Sequence, residues 1–175
     1  MADQKVESKI QIRQAKKEDM SAVAEMIQEL ADFEKMPTGP KMSVKDLEHD
    51  GFVRDPPAFH CKIAVDDSIV GTNPVVGYAL YFPTYSTWEG RSMMLEDLYV
   101  RTNQRSKGIG KKLFKSVAKE AKKTGCSRLD FHVLEWNPAR SFYENEGAVN
   151  MTKSEQWCYY RLTGDALQKY MSVDD

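Results

Sequence analysis

The sequence predicts a mixed α/β domain in which a central sheet is covered by helices. Apolar residues make up 41% of the 175 residues, which is enough to build one hydrophobic core. Segments with the two-residue period of strands alternate with segments that have the 3.6-residue period of helices. No internal repeat or long linker divides the chain. We therefore expect a flexible segment over residues 1–9 and a single domain over residues 10–172.

The first part of the chain predicts one strand and two helices. Residues 10–15 have the pattern of a strand, and residues 19–34 that of a helix with one apolar face. The apolar face consists of Met20, Val23, Ile27, Leu30 and Ala31. A shorter helix is expected to begin at Ser43, because Ser43 and Asp46 have the spacing of a capping box.

The middle of the chain predicts three strands. The first spans residues 60–65, where the apolar side chains of Cys61, Ile63 and Val65 alternate, and it turns at residues 71–74. The next two strands span residues 75–85 and 93–100.

The last third predicts a helix, a strand, a second helix and a closing strand. The first helix spans residues 109–123, with Leu113, Val117 and Ala121 on one face and lysines on the other. A strand over residues 128–134 leads to a helix over residues 139–146, which Gly147 ends. The closing strand is expected over residues 157–162.

The turn before the helix 109–123 carries the clearest chemical signal. Its sequence, NQRSKGIGKKLF, places Gly108 and Gly110 at the N-terminus of the helix. The first amides of a helix have no partner inside it, and the helix dipole adds positive charge there, so a pyrophosphate group fits this end. Glycine permits close approach of the phosphate, although glycines before a helix often form only a tight connection. Arg105, Lys107 and Lys111 add positive charge.

Composition excludes several other classes of protein. With 25 basic and 26 acidic residues, the formal charge is −1, which argues against a dedicated nucleic-acid binder. No run approaches the roughly 18 apolar residues of a membrane span, and residues 1–9 do not resemble a signal peptide, so we expect a cytoplasmic protein. Cys61, Cys126 and Cys158 are too far apart for a zinc site. We expect them to be reduced, buried and inert, and we expect no metal.

The segment RSKGIG, residues 105–110, resembles the R/Q-x-x-G-x-G/A loop that binds acetyl-CoA in the GCN5-related N-acetyltransferase (GNAT) superfamily. Within it, nearly the whole chain resembles the diamine acetyltransferase group, which includes spermidine/spermine and thialysine N-acetyltransferases. The motifs are IQELADFEKM (27–36), DGFVRDPPAFHC (50–61), YSTWEGR (85–91), LEDLYV (95–100), EWN (135–137) and FYENEGA (142–148). Ser106 stands where these enzymes usually have glycine, and WNPAR (136–140) is one residue shorter than the spermidine/spermine version.

The resemblance implies the GNAT fold, a mostly antiparallel twisted sheet that binds acetyl-CoA where two strands splay apart. It also implies acetyl transfer to a primary amine. At pH 7 only about one amine in a few thousand is neutral, so the reaction needs a base. The resemblance assigns this role, through water, to Glu96, and the role of acid toward the departing thiolate to Tyr143. The alternative for Glu96 is a carboxylate that only pairs with backbone or an arginine, and the alternative for Tyr143 is an aromatic ring of the core. If the strand alternates regularly, Asp97 faces away from Glu96.

The resemblance also implies how acetyl-CoA is bound. The backbone of Leu98, Tyr99 and Val100 pairs with the pantetheine arm, as an extended ligand adds to a strand edge. The loop holds the diphosphate through Arg105, Ser106, Lys107, Gly108, Ile109, Gly110 and Lys111. The other side of the cofactor is framed by Asn137, Ala139, Arg140 and Tyr143. For Asn137, a helix N-cap is an equal alternative.

The substrate positions implied by the resemblance are mostly acidic or aromatic, which indicates a cationic amine. They are Phe33, Glu34, Trp88, Glu96, Asp97, Asp130, Phe131, His132 and Glu155. Glu34 and Trp88 also fit a solvated helix end and a turn aromatic, and His132 fits a buried core histidine better than a proton carrier. FEK (33–35), YSTWEGR and LEDLYV lean toward the thialysine branch, with small polyamines as the alternative.

Two alternative functions would use the same acetyl-CoA site. One is a peptide acetyltransferase, and the other is a regulatory module that binds acyl-CoA without catalysis. The presence of both Glu96 and Tyr143 disfavours the second. A covalent route through Cys126 or Cys158 is disfavoured because no neighbour in sequence would lower the thiol pKa. The resemblance further implies a homodimer to which the C-terminal segment contributes.

Overall fold

A computed structural model describes residues 9–71 and 73–171 of the chain. The chain divides into two compact units, and the division falls between His132 and Val133. Of the predicted flexible segment, residues 1–8 lie outside the described residues, as does the predicted end of the domain at residue 172.

The N-terminal unit is built on a five-stranded sheet in the order β1-β2-β3-β4-β5. Neighbouring strands are antiparallel from β1 to β4, and β5 is parallel to β4. The strands are β1 (Ile10–Gln14), β2 (His60–Asp66), β3 (Val75–Ser86), β4 (Gly90–Val100) and β5 (Leu129–Phe131). This confirms the mostly antiparallel sheet, although the strand predicted over residues 128–134 is shorter than expected.

Three helices pack beside this sheet. They are α1 (Met20–Phe33), α2 (Val44–Glu48), which continues into a π-helical turn (His49–Val53), and α3 (Ile109–Lys123). Single 3₁₀ turns span Lys17–Asp19 and Thr102–Gln104. The predicted capping box is present: the Asp46 amide donates to Ser43 Oγ at 3.2 Å, and the Ser43 amide donates to Asp46 Oδ2 at 2.8 Å.

Two hydrophobic cores lie on opposite faces of the sheet. The α1-side core includes Met20, Val23, Ile63, Tyr78 and Tyr99. The α3-side core includes Tyr81, Met93, Leu95, Leu113 and Val117. The apolar faces predicted for α1 and α3 therefore cover the two sides of one sheet, as amphipathic helices do in a layered α/β domain.

The C-terminal unit consists of short helices. They are α4 (Ala139–Asn145), α5 (Met151–Ser154) and α6 (Gly164–Gln168), followed by a 3₁₀ turn (Lys169–Met171). Gly147 has a φ of +94°, and the Ala148 amide donates to the Tyr143 carbonyl at 3.0 Å, so Gly147 ends α4 as predicted.

Two sequence predictions are wrong in this unit. Residues 157–162, all of them described, have no strand conformation, so the predicted closing strand is absent from them. Cys158 is exposed, whereas Cys61 is buried and Cys126 is half-buried, so only Cys61 fits the expected buried thiol.

Within residues 9–71 and 73–171, no helix has the length and apolar character needed to cross a membrane.

Candidate active site

The glycines of the predicted phosphate loop open the N-terminus of α3. Gly108 has a φ of +72°, and a side chain added there would meet no atom within 4 Å. The first bond of the helix runs from the Lys112 amide to the Gly108 carbonyl at 3.1 Å, so the amides before Lys112 lie outside the helical ladder. The first turn, IGKK, contains no acidic residue that would repel an anion. This end of α3 therefore fits a diphosphate group.

Ser106 has the backbone conformation that glycine would take at its position. Its φ is +63°, in the left-handed region that L-residues rarely adopt. The loop thus keeps the geometry expected of a glycine despite the substitution. Next to it, Lys107 Nζ donates to Gln104 Oε1 at 2.6 Å, within the same turn.

The C-terminal half of β4 has an open edge. β5 pairs with β4 only from Met93 to Leu95, whereas β3 follows β4 up to Val100. The Arg101 amide donates to the Val76 carbonyl in β3, while the Val100 carbonyl faces the other way and accepts from Arg105 Nε at 3.0 Å. Within the described residues, β5 leaves the backbone of Leu98 and the amide of Val100 unpaired at this edge, where an extended ligand can add. Together with the α3 N-terminus, this edge fits acetyl-CoA.

A β-bulge interrupts β4 at Glu96. Tyr81 is opposite Leu95 and Leu80 is opposite Asp97, so Glu96 is the extra residue. Both Leu95 and Leu98 pack in the α3-side core although they are three residues apart. The alternation therefore shifts by one residue, and Asp97 turns to the α1 side, where it meets Tyr78. The expectation that Asp97 faces away from Glu96 is wrong for this reason.

The carboxyl group of Asp97 is hydrogen-bonded and largely buried, and both features affect its pKa. Tyr78 Oη donates to Asp97 Oδ2 at 3.0 Å. Burial raises the pKa of Asp97 to about 6, and the negative charges of Glu96 and Glu34 add to the rise, while the hydrogen bond from Tyr78 opposes it. Burial also raises the pKa of Glu34 at the end of α1. The structure thus brings three of the predicted acids, Glu34, Glu96 and Asp97, to one face.

Aromatic side chains hold a cation at the adjacent end of α1. The guanidinium carbon of Arg105 lies 5.2 Å from the ring centre of Phe33 and 5.3 Å from that of Tyr99. Tyr99 Oη donates to Glu29 Oε2, and Arg101 pairs with Glu25 and Glu29. An open pocket of about 590 Å³ is lined by Glu29, Asp32, Phe33, Tyr99, Arg101, Thr102 and Asn103.

Other predicted substrate residues of this unit lie farther away or in other contacts. Trp88 is 83% exposed at the tip of the β3–β4 hairpin, and the seven strand residues from Gly90 to Glu96 span about 20 Å. Asp130 accepts from Arg128 Nε at 2.9 Å, and the Phe131 ring packs edge-on against Phe114. His132 is exposed, so its interpretation as a core histidine is wrong.

The C-terminal unit carries the remaining predicted residues. Asn137 Oδ1 accepts from the Ala139 amide at 2.9 Å, but the N-cap residue of α4 is Pro138, so Asn137 lies one residue before the predicted cap position. Arg140 donates to the Glu135 carbonyl and pairs with Glu144. Tyr143 is half-buried on α4, with its ring centre 5.0 Å from that of Phe142. Glu155 Oε2 accepts from Trp157 Nε1 at 2.7 Å.

The family follows from a comparison with protein-family models. Residues 23–148 match the model of the acetyltransferase (GNAT) family. The chain belongs to the GNAT family. It is an N-acetyltransferase, and the acetyl donor of this family is acetyl-CoA.

Among the described residues, no group of three or more His, Cys, Asp or Glu side chains is placed to hold a metal ion.

Relatives of this GNAT protein are similar over most of its length. A thialysine N-epsilon-acetyltransferase of Bos taurus is 41% identical over 164 residues, which cover 91% of this chain and 96% of that protein. Its counterpart in Mus musculus is 42% identical over 162 residues, with coverage of 90% and 95%. The solved structure of an integron cassette protein from V. cholerae is 26% identical and has a TM-score of 0.72, with coverage of 94% and 98%.

Sequence reasoning missed two polar contributors to this GNAT site. In the sequence, Tyr78 has the pattern of an ordinary core residue of β3. Its contact with Asp97 depends on the register between β3 and β4, which the sequence does not show. Arg101 follows β4 directly and ties the strand to α1 through Glu25 and Glu29. The sequence shows that Glu25 and Glu29 lie one turn apart on α1, but that Arg101 meets them depends on how α1 packs against β4.

Proposed function

We propose that this GNAT acetyltransferase acetylates the primary amine of a small cationic substrate, thialysine or another lysine-like amino acid. Small di- and polyamines are the second choice. The observation that carries the proposal is the β4 bulge, which sets Glu96 and Asp97 on one face directly before the open strand edge. A positively charged amine is attracted to that face, and the names of the relatives favour the thialysine branch.

The proposed reaction is a direct transfer without a covalent enzyme intermediate. The amides at the start of α3 bind the diphosphate, and the open edge of β4 binds the pantetheine arm. Glu96 takes a proton from the substrate ammonium through water, and the nitrogen then attacks the thioester carbon. The new N–C bond forms as the C–S bond breaks, and Tyr143 protonates the departing thiolate. The nitrogen loses its second proton as the amide forms, and this proton restores the Tyr143 hydroxyl group. Asp97 and Glu34 hold the cation during this exchange.

The substrate assignment is tested by a thiol-release assay. The panel contains thialysine, lysine, putrescine, norspermidine, spermidine and a histone-tail peptide, and kcat/KM is compared between them. We expect thialysine or lysine to give the highest value. Spermidine as the best substrate would support the alternative, a spermidine/spermine acetyltransferase proper. Turnover of the peptide alone would contradict a small-amine enzyme, and tight acetyl-CoA binding without any turnover would support a regulatory module.

The two catalytic roles predict different defects. The Tyr143→Phe substitution should lower kcat by about 100-fold while the Kd for acetyl-CoA stays the same, because only the proton donor is lost. The Glu96→Gln substitution should lower the rate in a way that higher pH partly restores, since more of the amine is then neutral. An unchanged kcat for Tyr143→Phe, or an unchanged pH profile for Glu96→Gln, would remove the respective role.

A further inference from the structure

The hydroxyl group of Tyr78 lies inside the core yet contacts the site. Tyr78 is fully buried among apolar residues of the α1-side core, beside the ring of Tyr99. A phenylalanine would fill the same space, so packing alone does not explain the hydroxyl group. Its Oη atom donates to Asp97 Oδ2 at 3.0 Å, across the β3–β4 pair and next to the bulge.

The second carboxylate oxygen of Asp97 is left for a ligand. Among the described residues, no buried side-chain nitrogen or oxygen lacks a hydrogen-bond partner. The Oδ1 atom of Asp97 has no partner among these residues, so it is not enclosed. One oxygen is therefore fixed by Tyr78, and the other is open on the face that Asp97 shares with Glu34 and Glu96.

We propose that Tyr78 is a positioning residue that holds Oδ2 of Asp97, so that Oδ1 binds the ammonium group of the substrate. This inference rests on the proposed function, because it needs a cationic amine as the ligand. The inference adds a core residue of the sheet to the residues that bind the amine. It also gives the two adjacent acids different roles. Asp97 binds the cation, while Glu96 serves the proton transfer.

The charges around Asp97 show why such a residue is needed. The groups that face it are Glu34 on α1, Cys61 on β2, Tyr78 on β3 and Glu96 on β4. Burial and the two glutamates favour the neutral acid, which cannot hold an ammonium group by ion pairing, whereas the hydroxyl of Tyr78 stabilises the carboxylate. Burial raises the pKa of Cys61 to about 12 and that of Tyr78 well above its ordinary value, so both stay protonated near neutral pH.

The test is the pH dependence of kcat/KM for the amine in a Tyr78→Phe variant. Loss of a hydrogen bond to a charged group should raise the pKa of Asp97 by about one pH unit. We expect kcat/KM at pH 6 to fall about fivefold through a higher KM, and to differ less than twofold at pH 8.5, where the carboxyl group is ionised in both proteins. A uniform loss at every pH, or a loss in kcat alone, would overturn the proposal.

Tyr81→Phe is the matched control. Tyr81 lies three residues further along the same strand, is also buried, and donates to Gln14 Oε1 on the opposite face of the sheet. Removing its hydroxyl group should leave the pH profile where it is in the parent protein. The Tyr78→Phe change should also have no further effect on the profile in an Asp97→Asn background. A shift that persists in that background would assign the effect to another group and overturn the proposal.

A titration by carbon-13 NMR of the Asp97 carboxyl group separates this inference from the proposed function. The measurement needs no substrate. We expect the midpoint near pH 6 in the parent protein and a higher midpoint in Tyr78→Phe; equal midpoints would overturn the role of Tyr78. If the parent protein acetylates no amine while the midpoints differ, the proposed function and the ligand assigned to Oδ1 both fail, and the pairing of Tyr78 with Asp97 stands.

Discussion

Ser106 and Gly108 occupy left-handed backbone conformations two residues apart. An L-residue in this region costs about 1 kcal/mol more than glycine, part of which is offset because glycine is freer in the unfolded chain. We therefore expect Ser106→Gly to raise the free energy of unfolding by up to about 1 kcal/mol, measured by urea denaturation.

Gly108→Ala should have the opposite effect. The added methyl group meets no atom within 4 Å, so the cost is that of the backbone alone, about 1 kcal/mol. Calorimetry should also show weaker binding of coenzyme A, because a Cβ would stand where the diphosphate approaches. If both variants moved the free energy of unfolding in the same direction, the left-handed geometry would not be what decides it.

Burial of the Asp97 carboxyl group lowers stability at neutral pH, where the folded chain must hold it as a charged carboxylate. Its pKa is raised to about 6 in the folded chain from 3.8, so between pH 4 and pH 6 the folded protein keeps a proton that the unfolded chain releases. The free energy of unfolding therefore falls as the pH rises from about 4 to 6, and it stays at the lower value above pH 6. Asp97→Asn should gain up to about 3 kcal/mol at pH 8 and much less at pH 4.5.

Urea denaturation of both proteins at the two pH values measures this difference. The asparagine retains an oxygen that can accept the hydrogen bond from Tyr78, so the variant isolates the charge. Its activity should fall while its stability rises, as is common when a strained site is relaxed. An equal gain at both pH values would show that the carboxylate charge is not the cause.

The residue types of the site could be predicted from the sequence, but their orientation could not. LEDLYV indicates two adjacent acids before the phosphate loop, and regular alternation would separate them. The bulge at Glu96 brings them together, and it depends on how Leu80 and Tyr81 pair with β4. Such a register shift has no signature within the β4 segment itself.

At Gly77, strand β3 leaves no room for a side chain beside the backbone of strand β4. A Cβ on Gly77 would lie 2.8 Å from the Tyr99 carbonyl oxygen, at the stretch where β4 offers its open edge. Gly77→Ala should push β4 aside, lower the free energy of unfolding by about 1–3 kcal/mol, and weaken coenzyme A binding. Thermal denaturation and calorimetry measure the two effects.

Gly110→Ala is the control for this substitution. The added Cβ would lie 3.9 Å from Val100 Cγ2, an ordinary contact, and alanine favours the helix by about 0.5–1 kcal/mol. Its stability should therefore stay level or rise. Equal losses in Gly77→Ala and Gly110→Ala would show that any added methyl group destabilises the region, and the close approach of β3 to β4 would not be the reason.

A helix or strand could be predicted from the sequence where the pattern of its own side chains determines its conformation. Helix α3 begins and ends where its period indicates, because Leu113, Val117 and Ala121 are all buried on one face. Residues 157–162 have a strand-like composition, yet a strand also needs a neighbour, which composition does not supply. For the same reason β5 is shorter than predicted, since its pairing with β4 ends at Leu95.

The whole molecule leaves large apolar side chains exposed in its C-terminal unit. The exposed residues include Trp157, Tyr159, Tyr160, Leu162 and Tyr170. A large exposed apolar patch usually marks an interaction surface. We expect a homodimer, so that light scattering of the purified protein gives twice the chain mass of 20.0 kDa.

Tyr160→Asp tests whether the C-terminal segment makes that contact. Tyr160 is 87% exposed, and a carboxylate there would lose its water if a second copy packed on it, so the dimer should weaken and the measured mass should fall toward that of one chain. Val70→Asp is the control, because Val70 is 89% exposed in the loop between β2 and β3. A dimer that persists in Tyr160→Asp at micromolar concentration, or one that dissociates equally in Val70→Asp, would place the interface elsewhere.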